Sequence, residues 1–316
     1  MRGGHSAASL RARSRTRLRT RQPLRWRRPG LTGAPPTLCY IGLYHMTFQS
    51  IGRPRVEVVI VQDAGAGGEL VAQGIADLLR RKPDALLGVA TGSTPLPVYE
   101  ALAERVRAGT ADVSRARIAQ LDEYVGLPAG HPESYRSVVL REVVEPLGLS
   151  PESFIGPDGS AEDVRAACAA YEAALAAAGG VDLQLLGIGT DGHIGFNEPC
   201  SSLASRTRIK TLTERTRADN SRFFDGDIEQ VPQHVITQGI GTILEAGHLV
   251  LLATGEGKAE AVAATVEGPL AAVCPASALQ LHPHATVVVD EAAASKLKLA
   301  GYFRHAYARK PAWQGL

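Results

Sequence analysis

The sequence predicts an α/β protein, a single doubly wound domain whose mostly parallel sheet is covered by helices on both faces, in a Rossmann-like arrangement. From Val56 onward, short apolar runs alternate with amphipathic stretches of helical period. The runs are apolar at successive positions, which is typical of parallel strands that are buried on both sides. Residues 56–305 show no internal repeat and no break in composition, so one continuous domain is predicted.

Six apolar runs have the length of strands and end at residues that favour turns. They are Val56–Val61, Leu86–Ala90, Arg117–Leu121, Val181–Ile188, His248–Ala253 and Ala285–Val289.

Seven stretches between these runs are predicted to be helical. In the first, apolar residues recur at helical spacing from Leu70 to Leu79. In the second, Pro95 stands in the first turn, where a missing N–H does no harm. The predicted helices are Gly68–Arg81, Pro95–Ala108, Ser134–Val144, Ala161–Ala178, Val235–Leu244, Lys258–Val266 and Glu291–Leu299.

The formal charge of +2 hides an asymmetry along the chain. Residues 1–56 hold twelve of the 34 Lys and Arg residues, all of them Arg, and no acidic residue, which leaves 22 basic against 32 acidic side chains in the remainder. An acidic body argues against nucleic-acid binding by the folded part. We predict that residues 1–52 are a disordered leader, which has three interpretations: a transit-like presequence, a nucleic-acid-binding tail, or translated upstream sequence with initiation near Met46. The last is favoured.

Hydropathy and cysteine spacing indicate where in the cell the protein works. Hydrophobic residues make up 45% of the chain and mean hydropathy is −0.03, yet no apolar run approaches the roughly 18 to 20 residues that a membrane helix needs. Cys39, Cys168, Cys200 and Cys274 show neither a CxxC spacing nor a Cys/His ligand pattern. They are typical of reduced thiols, so we expect a cytoplasmic protein without membrane contact.

The segment Gly187–Pro199 is the strongest candidate for catalysis. It places Asp191, His193 and Glu198 in a glycine-rich loop directly after the apolar run Val181–Ile188. In α/β proteins, loops at the carboxyl ends of buried strands carry the chemistry. An imidazole flanked by two carboxylates is suited to proton transfer near neutral pH, although a tight turn with a solvated histidine would use the same residues.

Three other loops after predicted strands carry reactive groups. Ala90–Pro95 combines hydroxyls with a glycine before a helix, which is suited to an anion, although capping of the helix would also explain it. Asp122 follows the third strand and is a candidate carboxylate base; the spacing of acids around it does not complete an octahedral metal site. Lys258 opens a helix, where its charge opposes the helix dipole, so a bound anion is indicated.

These motifs together resemble the glucosamine-6-phosphate deaminase and isomerase family, and the similarity spans Val56 to Phe303. The strings that carry it are Thr91–Pro95, Asp122–Pro128, His131–Tyr135, Asp191–Pro199, Ser201–Thr211, Asn220–Phe224 and Leu279–Pro283. The resemblance implies a hydrolase of amino-sugar catabolism, of aldose–ketose isomerase type, that converts glucosamine 6-phosphate and water to fructose 6-phosphate and ammonia. It implies neither a cofactor nor a metal.

The resemblance also implies roles for single residues. Asp122 would move a proton between C2 and C1 through an enolamine, and His193 would open the pyranose ring, tuned by Asp191 and Glu198. The substrate phosphate would be bound by Gly92, Ser93, Thr94, Arg222 and Lys258.

A second, allosteric phosphate site for N-acetylglucosamine 6-phosphate is implied at Ser201, Arg208, Lys210, Thr211 and Tyr302. A solvated basic loop is the alternative interpretation of these residues, and placing Tyr302 there requires a short deletion before it. Members of the family occur as hexamers and as monomers, and the sequence leaves this open. The predicted enzyme domain is 53–305, and 306–316 is predicted to be a C-terminal tail.

Two other functions use part of the same pattern. A related esterase would hydrolyse a sugar-phosphate lactone with His193 activating water, but it would not need Asp122 as a second acid. A sugar-phosphate sensor that regulates transcription would need a DNA-binding module, and the leader lacks the apolar helical period to build one.

Overall fold

The computed structural model describes residues 56–311 and 314–316. In these residues, strands and helices alternate as the sequence predicts. The strands are β1 (Glu57–Val61), β2 (Leu86–Val89), β3 (Arg117–Gln120), β4 (Asp122–Tyr124), β5 (Phe154–Ile155), β6 (Leu183–Leu186), β7 (Arg208–Thr211), β8 (His234–Thr237), β9 (Leu249–Ala253) and β10 (Ala285–Asp290).

The α-helices lie between these strands or after the last one. They are α1 (Ala64–Arg81), α2 (Leu96–Arg107), α3 (Tyr135–Val139), α4 (Val164–Ala177), α5 (Glu214–Asn220), α6 (Ile240–Ile243), α7 (Ala259–Val266) and α8 (Ala300–Ala308). A π-helical turn over Leu140–Val144 continues α3. Short 3-10 turns occupy Pro151–Ser153, Ser221–Phe223, Ile228–Gln230, Glu256–Lys258 and Pro275–Leu281.

Seven parallel strands form the main sheet in the order β1-β10-β9-β6-β2-β3-β5. From β2 the chain builds outward through β3 to β5, and from β6 it builds in the other direction through β9 to β10. The order therefore reverses between β2 and β6. In open α/β sheets such a switch point leaves a crevice at the carboxyl ends of the two strands.

Helices cover both faces of this sheet, so the predicted fold class is confirmed. Successive residues of β9 alternate between two apolar clusters: Leu249 and Leu251 pack on one face, and Val250 and Leu252 on the other. The first face is covered by α4, α6 and α7, and the second by α1, α2 and the π-helical turn. Alternation into two cores explains why β9 is apolar at every position.

A small antiparallel sheet, in the order β4-β8-β7, lies outside the sequence prediction. The prediction of a helix over Val235–Leu244 is wrong, because the segment divides into β8 and the short helix α6. Its apolar residues satisfy a helical period, but β-branched side chains and two glycines disfavour one long helix. Gly239 also lies too close to the backbone of Ser205 to carry a side chain.

The predicted helix over Glu291–Leu299 is also wrong. These residues form turns, and helix α8 begins only at Ala300. One local and one tertiary hydrogen bond hold the turns: Asp290, at the end of β10, accepts the amide of Ala293 at 2.7 Å, and the distant Glu267 accepts the amide of Leu299 at 2.7 Å. Local helix propensity is overridden because carboxylates of neighbouring elements cap these amides.

The predicted boundary at residue 305 falls inside α8, which packs against β1. Leu316 packs against the core and comes close to Gly74 of α1. We therefore propose that the domain extends to the end of the chain. The predicted leader, residues 1–52, and Cys39 lie outside the described residues. No helix among the described residues is long and apolar enough to span a membrane.

The small sheet provides a test of the fold. Ile236 of β8 is fully buried and pairs directly with Ile209 of β7, which is 47% exposed. We expect Ile236→Ala to lower the free energy of unfolding by about 2 to 5 kcal/mol, because it leaves a cavity. Ile209→Ala is the matched control, and its effect should stay within about 0.5 kcal/mol. Equal losses for both variants in urea unfolding would contradict the burial pattern.

Candidate active site

A cavity of about 490 Å³ opens at the switch point between β2 and β6. The loop Ala90–Thr94 lines one part of it, and residues of the loop after β6 line another. Eight residues with predicted catalytic or phosphate-binding roles line it. They are Gly92, Ser93, Thr94, Asp122, Asp191, His193, Arg222 and Lys258.

His193 lies between two carboxylates, as predicted. Its Nδ1 is 2.7 Å from Asp191 Oδ1 and 3.9 Å from Glu198 Oε2. The ring is not aligned for a linear hydrogen bond to Asp191, and such contacts commonly tighten when substrate binds. Burial would raise the pKa of Asp191, but the charge of His193 and hydrogen bonds from that residue outweigh it and lower the pKa.

Two glycines let the loop fold closely around the imidazole. A side chain at Gly189 would come within 2.6 Å of the His193 ring, so only glycine fits beneath it. Gly192 has a φ of +84°, which glycine adopts without strain. The backbone amide of His193 donates to Asp191 Oδ1 at 3.1 Å, which fixes the carboxylate beside the ring.

Glu198 lies behind the imidazole and does not line the cavity. It is buried, and its Oε1 accepts a hydrogen bond from Thr216 Oγ1 at 2.6 Å. Thr216 belongs to α5, whereas Glu198 follows β6. This contact therefore connects the histidine loop to the helix that precedes Arg222.

Asp122 is 5% exposed and starts β4, one residue after Leu121, which follows β3. Burial, together with the charge of Glu123, raises the pKa of Asp122 to about 8. A Cβ atom at Gly195 would lie 3.6 Å from Asp122 Oδ2, so the histidine loop touches the base. The structure thus places both predicted proton-transfer groups in the same cavity.

The cavity also contains a cluster of cations. Burial is the main cause that lowers the pKa of Lys258; the charges of Asp191 and Asp219 oppose this shift, and those of Arg222 and Arg215 add to it. Among the described residues, the salt bridges include none of the three cations Lys258, Arg222 and Arg215. Three cations that lie near one another outside any salt bridge favour binding of an anion.

The hydroxyl loop lies at the start of α2. No side chain caps this helix, so Ser93 and Thr94 do not serve as its N-cap. Gly92 has a φ of +94°, which brings the loop backbone to the cavity without strain. Hydroxyls beside a helix N-terminus are suited to an anion, so binding of an anion by this loop stays a prediction.

Several lining residues were not found by sequence reasoning. Arg215 lines the cavity and donates to Thr190 Oγ1 at 2.9 Å. Tyr124 and Tyr135 stack with ring centroids 4.6 Å apart and form an aromatic wall. Both tyrosines fall within strings that carried the family resemblance, but only the fold shows that they face the same space. Arg215 carried no signal, because α5 was not predicted.

The predicted allosteric residues lie outside the cavity. Arg208 and Lys210 share one face of β7, and Thr211 lies on the other face. Ser201 is buried and donates to the carbonyl of Glu198 at 2.7 Å. Tyr302 is 63% exposed on α8, beside β1.

The histidine cluster also has the spacing of a metal site. Asp191, His193 and Glu198 each offer one possible ligand atom, a carboxylate oxygen or an imidazole nitrogen, and these three atoms lie within 4.8 Å of one another. Glu198 is already engaged by Thr216, and Asp191 by the amide of His193. These bonds orient the carboxylates toward the imidazole, which is the arrangement that proton transfer needs.

The sequence of this chain is similar to a known family and to proteins of several bacteria. The profile of glucosamine-6-phosphate isomerases and 6-phosphogluconolactonases matches residues 62–289. The chain is 82% identical over 261 residues to a glucosamine-6-phosphate deaminase of Streptomyces avermitilis, covering 83% of this chain and all of the relative. It is 59% identical to one of Mycolicibacterium smegmatis, also over 261 residues with the same shares covered.

Solved structures agree with these matches. A monomeric glucosamine-6-phosphate deaminase superposes with a TM-score of 0.74 at 40% identity, covering 76% of this chain and 100% of that one. The 6-phosphogluconolactonase of Trypanosoma cruzi superposes with a TM-score of 0.62 at 18% identity, covering 77% and 97%. The second likeness concerns the fold alone.

The buried carboxyl of Asp122 makes stability depend on pH. Its pKa is raised from 3.8 to about 8 on folding, so the folded state holds a proton that the unfolded chain releases. The stability that this proton contributes is complete below pH 3.8 and is lost as pH rises through about 8.

We therefore expect the melting temperature of Asp122→Asn to exceed that of the wild type by an amount that grows between these two pH values. Differential scanning calorimetry across the range checks this. A difference that does not change with pH would contradict a buried, protonated carboxyl.

Proposed function

The chain belongs to the family of glucosamine-6-phosphate isomerases and 6-phosphogluconolactonases, and we propose that it converts glucosamine 6-phosphate and water to fructose 6-phosphate and ammonia. The observation that carries the proposal is the presence of Asp122, His193 and a cationic cluster in the same cavity. The relatives that match over their whole length bear the name of this activity.

Ring opening is the first step. His193 takes the proton of the O1 hydroxyl and delivers a proton to the ring oxygen, which breaks the bond between C1 and that oxygen. The carboxylates of Asp191 and Glu198 lie 2.7 and 3.9 Å from Nδ1 and orient the imidazole for this transfer.

Proton transfer between C2 and C1 is the second step. Asp122 removes the proton from C2 to give an enolamine and returns it to C1, which leaves an imine at C2. Water adds to this imine, and ammonia leaves. A carboxylate with a pKa near 8 is a stronger base than an ordinary aspartate, which suits abstraction of a weakly acidic C–H proton.

The phosphate binds away from the reacting carbons. Lys258 and Arg222 supply charge, and the loop of Gly92, Ser93 and Thr94 supplies hydrogen-bond donors. The guanidinium suits bidentate binding, whereas the ammonium acts as a point charge. Remote binding of this kind positions C1 and C2 against Asp122.

We also propose that N-acetylglucosamine 6-phosphate activates the protein at a second site. Arg208 and Lys210 on one face of β7 are suited to the phosphate of N-acetylglucosamine 6-phosphate. The protein would work as a monomer, as one solved relative does, or as a hexamer. Cys168, Cys200 and Cys274 form no disulfide, which fits the expected cytoplasmic location.

A coupled assay for ammonia tests the function. We expect purified protein to release ammonia from glucosamine 6-phosphate, with and without EDTA, and to leave 6-phosphogluconolactone unchanged. Consumption of the lactone with no ammonia would refute the proposal in favour of the hydrolase. Repeating the assay with N-acetylglucosamine 6-phosphate, alongside light scattering, tests activation and assembly.

Two substitutions separate binding from chemistry. Asp122→Asn should abolish exchange of the C2 proton with solvent and leave substrate binding near normal, because the base is lost and the phosphate contacts remain. Lys258→Ala should raise KM by about 10- to 100-fold with kcat within about threefold, because a charged hydrogen bond is lost equally before and during reaction. Steady-state kinetics and proton NMR in D₂O give both readouts. If both variants changed only KM, the roles would be wrong.

A further inference from the structure

Glu123, next to the base Asp122, is a buried carboxylate with an unusual set of partners. It is 5% exposed. Its Oε1 accepts the backbone amides of Tyr124 at 2.8 Å and Tyr135 at 2.9 Å. Its Oε2 accepts the amide of Arg136 at 2.8 Å and Nε2 of Gln120 at 3.1 Å.

Among residues 56–311 and 314–316, no cation forms a salt bridge with the carboxylate of Glu123. The guanidinium of Arg136, whose amide it binds, lies over the ring of Phe154 instead. Both oxygens act only as acceptors, which is the pattern of an ionised carboxylate. The negative charge therefore remains beside Asp122.

Its contacts connect the base to the aromatic wall. Tyr135 and Arg136 begin α3, so Glu123 holds the start of this helix against β4. Tyr135 stacks on Tyr124 and donates to its hydroxyl at 3.1 Å. That hydroxyl also accepts Nδ2 of Asn220, two residues before the predicted phosphate ligand Arg222.

The titratable groups that face Asp122 are Glu123 and three phenols. Burial raises the pKa of Tyr124 to about 12, and it also raises the pKa of Tyr135 and of Tyr171 well above that of a free phenol. The phenols are therefore uncharged over the working range of an enzyme. On β8, the residue paired with Asp122 is Thr237, which does not titrate. Glu123 is thus the charge that acts on the base.

We propose that Glu123 is a positioning residue for the proton transfer: it binds the start of α3 to the strand that carries Asp122, and its charge acts directly on that base. The inference rests on the proposed function for its kinetic consequence. Burial of Asp122 and the contacts of the histidine loop do not account for either effect, the fixing of α3 against β4 or the negative charge beside the base.

Glu123→Gln is the principal test. The amide keeps the size but loses the charge and presents an NH₂ group to backbone amides that need an acceptor. We expect kcat to fall by about 10- to 100-fold, because the base is displaced. We also expect the acid limb of the kcat/KM profile to move to lower pH, because a like charge is removed. A variant whose acid limb stays at the wild-type pH would overturn the proposal, whatever its kcat.

Two further variants guard against a merely structural effect. Glu172 is a control carboxylate: it accepts the amide of Thr207 at 2.8 Å and Thr242 Oγ1 at 2.6 Å, but it pairs with Arg206 and is not adjacent to Asp122 in the chain. Glu172→Gln should leave the acid limb unchanged even if it lowers stability. Where Glu123→Gln does not fold, Glu123→Asp keeps the charge but withdraws it from α3. Its kcat should fall while the acid limb of its kcat/KM profile stays at the wild-type pH. A wild-type kcat would refute the positioning role.

A readout that needs no turnover separates the two proposals. Carboxyl ¹³C NMR of aspartate-labelled protein, with Asp122→Asn for assignment, follows the titration of Asp122 directly. In the Glu123→Gln protein we expect it to titrate at lower pH than in the wild type. Wild-type protein that releases no ammonia refutes the proposed function alone, whereas an unshifted titration refutes the role of Glu123 alone.

Discussion

The cavity depends on one constraint, the parallel pairing of β2 with β6. These strands are neighbours, yet the chain leaves them toward opposite edges of the sheet. Their following loops therefore separate and cannot cover the space between them. Gly88 meets the buried side chain of Gln184 at this pairing, so the close approach requires a residue without a side chain.

Charges of both signs line this cavity. Asp122 is held where burial and Glu123 oppose its ionisation. Lys258, Arg222 and Arg215 gather without salt-bridge partners among the described residues, so their charge remains available to a ligand. A substrate with an anionic end and an acidic C–H bond would give the cations a partner and the base Asp122 a proton to remove. The polarity of the cavity is therefore a consequence of which charges the fold leaves unpaired.

The small sheet explains how distant segments reach the same space. Asp122 of β4 pairs with Thr237 of β8, and Thr237 Oγ1 accepts the amide of Phe196 at 3.1 Å. The histidine loop is thus fixed to the strand of the base. Sequence reasoning missed β8 because its apolar run, Val235 and Ile236, is too short for periodicity to distinguish a buried strand from a helix. It missed α5 because that helix is mostly polar and exposed, and so lacks an apolar stripe.

Local sequence was sufficient for the strands of the main sheet except the two-residue β5, for most of the helices that cover it, and for the loops that carry Asp122 and His193. Each of these features follows from periodicity or from a glycine-rich loop after an apolar run, which are short-range signals. Only the tertiary structure decided that Glu291–Leu299 turns, that Arg215 joins the cations, and that Glu123 faces the start of α3. These outcomes depend on hydrogen bonds and charges between segments far apart in the chain, and no local pattern records such partners.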